Sequence, residues 1–328
     1  MNQPETPSFE TLDKAFKVFT PYLHRRAQFI WADHGRFSHY TSAEAALSIL
    51  SGKSIWMRNA MTMNDFSEIE YGIGKVTQFF GPNNQSQIIR KFWSLVEVAT
   101  DGEASTLKDT FDLWLPDLRT KTYVTCLSEH QPHEDEFGRL SMWRGYGQAT
   151  GVCLVLNSQE VADGARHSDV FTYPICYCGG AAAEELFTEA VSGIIEQEDF
   201  VRSLDQTTLR WWLLNMLQSF VFTLKHPGFS EESEWRLIHR PSESFSDRLK
   251  RDMVSIGGIP QSIYQLPLST ENSDFEGLDL KKFVDRIIIG PSEHPTTIWH
   301  AFVECLEELG IEGAGERVHC SDIPLRAR

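Results

Sequence analysis

The sequence predicts an α+β protein, with one mixed-sheet domain that follows an N-terminal helical arm. Apolar residues recur at helical spacing over three long stretches, and short apolar or β-branched runs lie between them. Only the last strand–helix–strand unit has the pattern of a parallel crossover, so most of the sheet should be antiparallel. We therefore place the helical arm at residues 1–35 and the α+β domain at residues 36–328.

Composition and charge exclude several classes of protein. A hydrophobic share of 41% over 328 residues is enough for a large core, so disorder over most of the chain is not expected. The formal net charge of −16 argues against a general nucleic-acid or anionic-membrane binder, because phosphate contacts need clustered Lys and Arg. No signal-peptide pattern and no membrane-length apolar run occurs. We expect a soluble cytoplasmic protein with no membrane partner.

The cysteines and histidines do not predict a metal site. The six cysteines are too irregular in spacing for a disulfide framework. Cys176 and Cys178 form a C-x-C pair without a matching second pair, so buried or half-buried thiols are the expectation. The acidic stretch His130–Arg139 contains residue types that bind metals, but its Pro- and Gly-bounded sequence favours a solvated surface loop or a lid. We expect no metal.

The N-terminal part predicts a compact set of short elements. A helix over Phe9–Ile30 should be divided at Pro21. A strand, a short helix and a second strand are then predicted at Phe37–Thr41, Ala43–Leu50 and Ser54–Arg58. Thr41 and Glu44 have the spacing of a capping box, and Gly52 stands where this helix should end.

The rest of the chain alternates between helical stretches and strands. Helices are predicted over about 76–118, 184–225 and 298–309, and strands at Tyr123–Ser128, Gly151–Asn157, Val170–Cys178, Ile263–Leu268, 286–289 and Arg317–Cys320. The second half of 184–225 is apolar nearly all round, which is typical of a core helix. Tyr123–Ser128 is almost wholly apolar or β-forming, so we expect it to be central in the sheet.

The stretch Lys225–Arg240 carries the candidate catalytic residues. Its residues alternate in character from Glu234 to His239, which is typical of a half-buried strand. Side chains two residues apart share a face of a strand, so Glu232, Glu234 and Arg236 should lie together. Two carboxylates beside an arginine either take part in chemistry or form a structural ion pair. The sequence leaves both alternatives open.

Further polar residues stand where predicted strands end. His39 and Tyr40 precede a helix N-terminus, a place that suits an anionic ligand. The other candidate ligand-binding residues are Arg58, Ser128, Trp143, Arg144 and Arg236. Motifs of the common hydrolases, nucleoside triphosphatases, dehydrogenases and metalloproteases are missing. A fixed carboxylate near aromatic and hydroxyl groups suits cleavage at a ribose anomeric carbon, because that transition state is cationic.

The order of several segments resembles DUF2971, a bacterial domain of unknown function. The segments are HYTSAEAALSILSGKSIWMRNAMTMNDFSE, TCLSE, SMWRGYGQATGVCLVLN, KHPGFSEESEWRLIH and RIIIGP. They cover the chain from about Phe37 to its C-terminus. At Asn64-Asp65-Phe66 the sequence departs from the family, which tends to have a proline after the Asp. This departure affects only the local turn.

A more distant resemblance is to the ADP-ribosyltransferases. It is carried by the His-Tyr-Thr strand, the short helix that ends in Gly, the serine strand and Glu-x-Glu. The resemblance implies a split sheet and NAD as the substrate. It also implies that Glu234 binds the ribose 2′-OH and stabilises the oxocarbenium ion, and that Glu232 assists transfer to an acceptor. Such an enzyme would be a toxin or a phage-defence effector, with the acceptor, protein or nucleic acid, left open.

The same resemblance implies roles for the residues that would hold NAD. His39 would contact the adenosine ribose, and Ser128 would help to orient the nicotinamide half. Tyr40 or Trp143 would stack on the nicotinamide ring.

The alternative is a binding or sensing module that holds a small nucleotide without turnover. Arg58, Arg144 and Arg236 would then bind its phosphates. A phosphoryl- or RNA-directed enzyme on the same scaffold is a third reading, and the net charge of −16 counts against it.

Overall fold

The computed structural model describes residues 8–32, 35–63, 66–243, 247–268 and 280–324, and its contacts form two compact units. The first, which we call the helical unit, comprises Met1–Gln28, Met63–Thr120 and Tyr173–Phe229. The second, the sheet unit, comprises Phe29–Thr62, Lys121–Thr172 and Ser230–Arg328. The predicted boundary between an N-terminal arm and an α+β domain, at residues 35 and 36, stays a prediction. The contacts instead group residues 1–28 with two later stretches of the chain. Asn64 and Asp65, where the sequence departs from the DUF2971 pattern, lie outside the described residues.

Most of the helices lie in the predicted stretches, but the helix Ser158–His167 was not predicted. They are α1 (Phe9–Phe19), α2 (Pro21–Trp31), α3 (Ala43–Gly52), α4 (Phe66–Phe80), α5 (Gln87–Ala99), α6 (Ala104–Thr120), α7 (Leu140–Met142), α8 (Ser158–His167), α9 (Ala181–Glu196), α10 (Glu198–Ser203), α11 (Gln206–Thr223), α12 (Leu280–Phe283), α13 (Pro295–Glu308) and α14 (Ala314–Arg317). The division of the first helix at Pro21 is confirmed, because α2 begins at that residue. In the part of the chain that the structure describes, no helix is both long and apolar enough to cross a bilayer.

The strands confirm a mixed, open sheet. They are β1 (Arg36–Ser42), β2 (Ser54–Asn59), β3 (Tyr123–Glu129), β4 (Gly151–Asn157), β5 (Phe171–Pro174), β6 (Cys176–Tyr177), β7 (Leu224–Lys225), β8 (Glu234–His239), β9 (Lys250–Ile256), β10 (Ile259–Pro267), β11 (Val284–Ile289) and β12 (Val318–Cys320). The main sheet has the order β12-β11-β4-β1-β3-β2-β10-β9, and β8 pairs with β3 outside this line. The predicted parallel crossover is confirmed, because β11 and β12 are parallel. A second parallel pair, β6 and β7, was not predicted.

Helix α11 is the core of the helical unit, as its apolar sequence predicts. Trp212 packs on Phe19 of α1 with the ring centroids 5.8 Å apart. Phe220 contacts Phe187 of α9 at 4.6 Å. Gly72 of α4 lies directly against the backbone of α11, where a Cβ atom would clash with the carbonyl of Val221. The close approach of α4 to α11 therefore requires glycine at this position.

Strand β3 is central in the sheet unit, and its neighbours on one side diverge. Along one edge it pairs with β8 over six residues. Along the other edge, Ser128 and Glu129 pair with β1, whereas Tyr123 and Val124 pair with β2. The sheet is therefore split between β1 and β2, and the residues around Cys126 face the split.

Two side chains satisfy polar groups at the split. His39 Nδ1 lies 3.2 Å from the carbonyl oxygen of Cys126, and Thr125 Oγ1 donates to the carbonyl of Trp56 at 2.8 Å. Because a carbonyl only accepts hydrogen bonds, Nδ1 of His39 must carry a proton. Burial lowers the pKa of His39 and so favours the neutral ring. The imidazole thus occupies a position that a strand backbone would otherwise fill.

The capping residues of α3 differ from the prediction by one position at each end. Strand β1 continues through Ser42, so Ser42 rather than Thr41 is the N-cap, and its Oγ accepts from the amide of Ala45 at 3.2 Å. The residue in the left-handed region at the C-terminal end is Lys53, with a φ of 47°, rather than Gly52.

The hairpin of β9 and β10 was only partly predicted. The sequence indicated a strand from Ile263, but β10 begins at Ile259 and pairs with β9. The two strands are joined at Gly257 and Gly258, whose φ values of 58° and 81° are those that glycine adopts in tight hairpin turns. This Gly-Gly pair was the sequence signal for the hairpin.

Strand β8 has the predicted bounds but is buried on both faces rather than half-buried. Its residues alternate in character, yet Glu234, Arg236 and His239 are all buried. Polar side chains can leave water at this position only where other groups replace the solvent. His239 is the exception, because neither ring nitrogen has a hydrogen-bond partner among the described residues.

We predict that His239 makes the fold sensitive to acid. Burial beside Tyr264, at a ring-centroid distance of 4.4 Å, lowers its pKa from 6.5 to about 4. The unfolded chain therefore binds more protons than the folded chain between these values, and the free energy of unfolding falls as pH falls from about 6.5 to 4. Each unit of this difference in pKa corresponds to about 1.4 kcal/mol.

His239→Phe should flatten this part of the pH profile in urea unfolding. It should also leave the stability at pH 7 unchanged or raised, since the phenyl ring needs no hydrogen bonds. His300→Phe, at an exposed position of α13, is the control. An unchanged slope between pH 6.5 and 4 in His239→Phe would contradict the assignment.

Candidate functional site

The strand registers bring five of the candidate residues, Arg58 among them, onto one face of the sheet. Ser128 of β3 is paired with Ser38 of β1 on one side and with Glu234 of β8 on the other. Laterally paired residues share a face, and so do residues two apart on one strand. Tyr40 and Arg236 therefore lie on the same face as Ser128 and Glu234. We call this the Glu234 face.

His39 lies on the opposite face. It is paired with Leu154 of β4, which belongs to the large apolar core of the sheet unit. Trp235 is on that face too, and its Nε1 donates to Glu129 Oε1 at 2.7 Å. The structure therefore does not bring His39 and Glu234 together, although the sequence suggested that they act on one ligand. Neighbouring positions on a strand point to opposite sides, which is why His39 and Tyr40 separate.

Glu234 and Arg236 form a buried ion pair. Arg236 Nε donates to Glu234 Oε1 at 2.8 Å, and the two side chains are only 2% and 4% exposed. Of the two alternatives that the sequence left open, this geometry provides the structural ion pair directly. Removing one partner of such a pair leaves an uncompensated buried charge, which costs roughly 3–5 kcal/mol.

Glu232 does not share the face of Glu234, because it is not on the strand. It ends the 3₁₀ turn Pro227–Glu232, and the next residue, Ser233, has a φ of 45°. This left-handed residue redirects the chain before β8 begins. Glu232 is half-buried, and its Oε1 accepts from the hydroxyl of Tyr146 at 3.3 Å.

The aromatic pair Tyr40 and Trp143 is packed rather than open. The ring centroids are 4.8 Å apart with the rings nearly perpendicular, and Trp143 Nε1 donates to the carbonyl of Phe137 at 2.7 Å. Gly138 and Gly290 lie so close to the indole that a Cβ atom would come within 2.6 and 2.7 Å of it. Both rings are buried, so neither offers a free face for stacking in this arrangement.

The remaining candidate arginines differ in their surroundings. Arg58 lies on the Glu234 face near the other end of β3, because it is paired with Val124. It is half-buried and donates through Nε to Gln261 at 3.3 Å, and burial lowers its pKa. Arg144 is exposed in the turn Trp143–Gly147, next to Tyr146, which is 44% exposed. The side chains of Arg144 and Tyr146 are therefore accessible to a ligand.

The loop His130–Arg139, predicted to be a solvated segment, is instead anchored by a chain of buried hydrogen bonds. Ser38 Oγ lies 2.8 Å from His130 Nδ1, and His130 Nε2 lies 2.8 Å from Asp135 Oδ1. Burial opposes ionisation of Asp135, but hydrogen bonds from His130 and Arg36 lower its pKa. The carboxylate accepts, so Nε2 carries the proton and Ser38 donates to Nδ1.

These hydrogen bonds run in the order of a catalytic triad, from serine to histidine to aspartate, but the serine is not accessible to a substrate. Ser38 is 1% exposed and His130 is 2% exposed. A nucleophilic serine must reach a substrate carbonyl, and the hydroxyl of Ser38 is enclosed by neighbouring groups. Burial also lowers the pKa of His130, so the ring is neutral at neutral pH. The hydrogen bonds therefore fix the start of the loop to β1.

Arg139 fixes the other end of the loop. Its Nε donates to Glu134 at 2.6 Å, and a terminal nitrogen donates to the carbonyl of Glu129 at 2.7 Å. The other terminal nitrogen donates to the carbonyls of Glu231 and Glu232 at 2.7 and 3.0 Å. One guanidinium thus connects the end of β3, the loop and the segment that leads into β8.

The sequence did contain a signal for this arrangement. Gln131 and Glu134 have capping-box spacing after a strand, and the amide of Gln131 donates to Glu134 Oε2 at 2.9 Å. Arg139 also donates from its own amide to the hydroxyl of Tyr40 at 2.8 Å, which no local pattern indicates. Among the described residues no group of three or more His, Cys, Asp and Glu is placed to hold a metal ion.

We predict that Arg139→Leu lowers the free energy of unfolding by roughly 3–5 kcal/mol, because Glu134 is left as an unpaired buried carboxylate. Arg144→Leu is the matched control, and an exposed site should change stability by less than about 0.5 kcal/mol. Urea unfolding at pH 7 measures both. Equal, small effects would show that the guanidinium of Arg139 is not the anchor of the loop.

Comparison with known families supports part of the resemblance seen in the sequence. The chain matches the family model DUF2971, a protein family of unknown function, over residues 142–237. The matched stretch runs from the turn that holds Trp143 to strand β8 and includes Glu234 and Arg236. No curated protein and no solved structure matches the chain. The stretch from 142 to 237 is thus similar to DUF2971, a family whose description names no activity.

Proposed function

We propose that the Glu234 face carries out ADP-ribosyltransferase-like chemistry on NAD, with transfer of ADP-ribose to a macromolecule or to water. The observation that supports this most is the position of Glu234 at the start of β8. It is paired with Ser128 of β3, and Arg236 holds its carboxylate. A carboxylate that is already oriented can stabilise a cationic transition state without reorganisation. The divergence of β1 and β2 along β3 supports the proposal, because the resemblance implies a split sheet.

In the proposed reaction, the bond between ribose C1′ and the nicotinamide nitrogen breaks. Both electrons of that bond leave with nicotinamide, and the oxocarbenium ion is stabilised by the carboxylate of Glu234. Water or an acceptor nucleophile then supplies the electron pair for the new bond to C1′ and releases a proton. Glu232, at the edge of the face beside Tyr146, would take that proton.

The positions of the other candidate side chains suggest roles that differ from those inferred from the sequence. Tyr40 and Ser128 share the Glu234 face, but both are buried, so they would position the carboxylate rather than contact the substrate. Arg58 and Arg144 would bind the phosphates. His39 is not part of this set, because it lies on the other face and bonds to the carbonyl of Cys126. Trp143 would support Tyr40 from behind rather than stack on nicotinamide.

We predict that purified protein releases nicotinamide from NAD and that Glu234→Gln lowers the rate by about a hundredfold or more, because the variant loses the charge that stabilises the cation. Glu312→Gln removes an exposed carboxylate and is the matched control. His39→Gln should retain most of the activity. Because Glu234→Gln also removes the ion pair with Arg236, the folding of the variant is checked by circular dichroism and thermal unfolding.

The second candidate is a nucleotide-binding module without turnover. The ion pair favours it, because Arg236 neutralises Glu234 and both side chains are buried. Calorimetric titration with NAD distinguishes the two candidates. Binding without nicotinamide release, weakened in Arg58→Met and Arg144→Met, would support the module. Absence of both binding and release would contradict both candidates.

A further inference from the structure

The Cys176-x-Cys178 pair lies in a fixed segment of the helical unit. Cys176 is half-buried in β6 and Cys178, just after it, is 6% exposed. Cys176 is paired with Leu224 of the parallel strand β7, and the amide of Cys178 donates to the carbonyl of Lys225 at 3.1 Å. Residues two apart on an extended chain share a face, so the two thiols are neighbours.

Two tyrosine hydroxyls hold this segment on either side. Tyr22 of α2 donates to the carbonyl of Ile175 at 2.8 Å, and Tyr71 of α4 donates to the carbonyl of Cys178 at 3.1 Å. The backbone is therefore fixed immediately before and at the end of the C-x-C motif. This arrangement keeps both thiols at one place, instead of leaving them on a mobile loop.

The surroundings make the two thiols chemically different. The pKa of Cys176 is lowered, first by its interaction with the Cys178 thiol and then, against the effect of burial, by Tyr22, Arg25 and Arg26. The pKa of Cys178 is raised, by the Cys176 sulfur and by burial. The half-buried sulfur is thus the better nucleophile, and the buried one remains a thiol.

We propose that Cys176 and Cys178 are a reversible oxidation site that takes hydrogen peroxide and closes to an intramolecular disulfide. The thiolate of Cys176 attacks one peroxide oxygen, and the O–O bond breaks. Hydroxide departs as the leaving group, and Cys176 becomes a sulfenic acid. The sulfur of Cys178 then attacks that sulfur, loses its proton and displaces water. Two thiols lose two electrons in total, and one peroxide is reduced to two waters.

The backbone can accommodate this bond with a small adjustment. Alternate Cα atoms of an extended chain are about 6.6 Å apart, which is near the upper end of the range that disulfides span. Gly179 and Gly180 follow directly, and a Cβ atom at Gly180, which has a φ of 54°, would meet no other atom within 4 Å. The chain after Cys178 can therefore follow a small shift of that residue without a steric clash.

The test treats the folded protein with peroxide, unfolds it, alkylates the remaining thiols and maps the peptides by mass spectrometry. After peroxide treatment we expect both Cys176 and Cys178 to be protected from alkylation. Reduction with dithiothreitol should make both thiols reactive again. Cys126 and Cys305, which are also half-buried, are the internal controls and should stay alkylated. Cys178→Ser should retain the sulfenic acid on Cys176, where dimedone labels it, whereas Cys176→Ser should leave Cys178 unreacted.

Two results would overturn the proposal. One is oxidation of Cys176 and Cys178 at the same rate as Cys126 and Cys305. The other is a peroxide product at Cys320, the exposed thiol, while the C-x-C pair remains reduced. Because the readout is the chemical state of each sulfur, it is independent of any activity on NAD.

Discussion

The sheet unit depends on the backbone hydrogen bonds of one strand, β3. One of its edges pairs with β8 throughout, and the other edge is shared by β1 and β2, which leave a gap around Cys126. A buried carbonyl without a partner costs about as much as a lost hydrogen bond, so the gap must be filled by side chains. His39 and Thr125 fill it. This requirement explains why a histidine that seemed suited to ligand binding is used for structure.

The same constraint determines which residues can act together. Once β3 pairs with β1 and β8 in fixed registers, Ser128, Tyr40 and Glu234 share a face. A shift of one residue in any of these pairings would exchange the faces. The register is held at the end of β3 by Arg139, which bonds to the carbonyl of Glu129 and to the segment before β8. The loop is thus part of the support of the face rather than a cover over it.

Buried charge is concentrated at this end of the sheet unit, and the arrangement costs stability unless each group has a partner. Glu234 has Arg236, Glu134 has Arg139, and the half-buried Asp135 has Arg36 and His130. Such pairs contribute little compared with apolar packing, but breaking any one of them is costly. The presence of these paired charges within a largely apolar core is what makes this face the candidate site. The same pairing neutralises Glu234, which is why binding without turnover is the competing function.

Local pattern was enough to determine most elements of the fold. The apolar periodicity of α11, the proline at the start of α2 and the apolar run of β3 each act within a few residues, so the sequence alone determined them. It also identified Glu234 and Arg236 as an unusual pair. Only the tertiary structure decided that His39 faces away from Glu234, that His130 and Arg139 are buried anchors, and that β8 is covered on both sides. These properties depend on pairing between strands far apart in the chain, and no local pattern specifies which face a distant partner will cover.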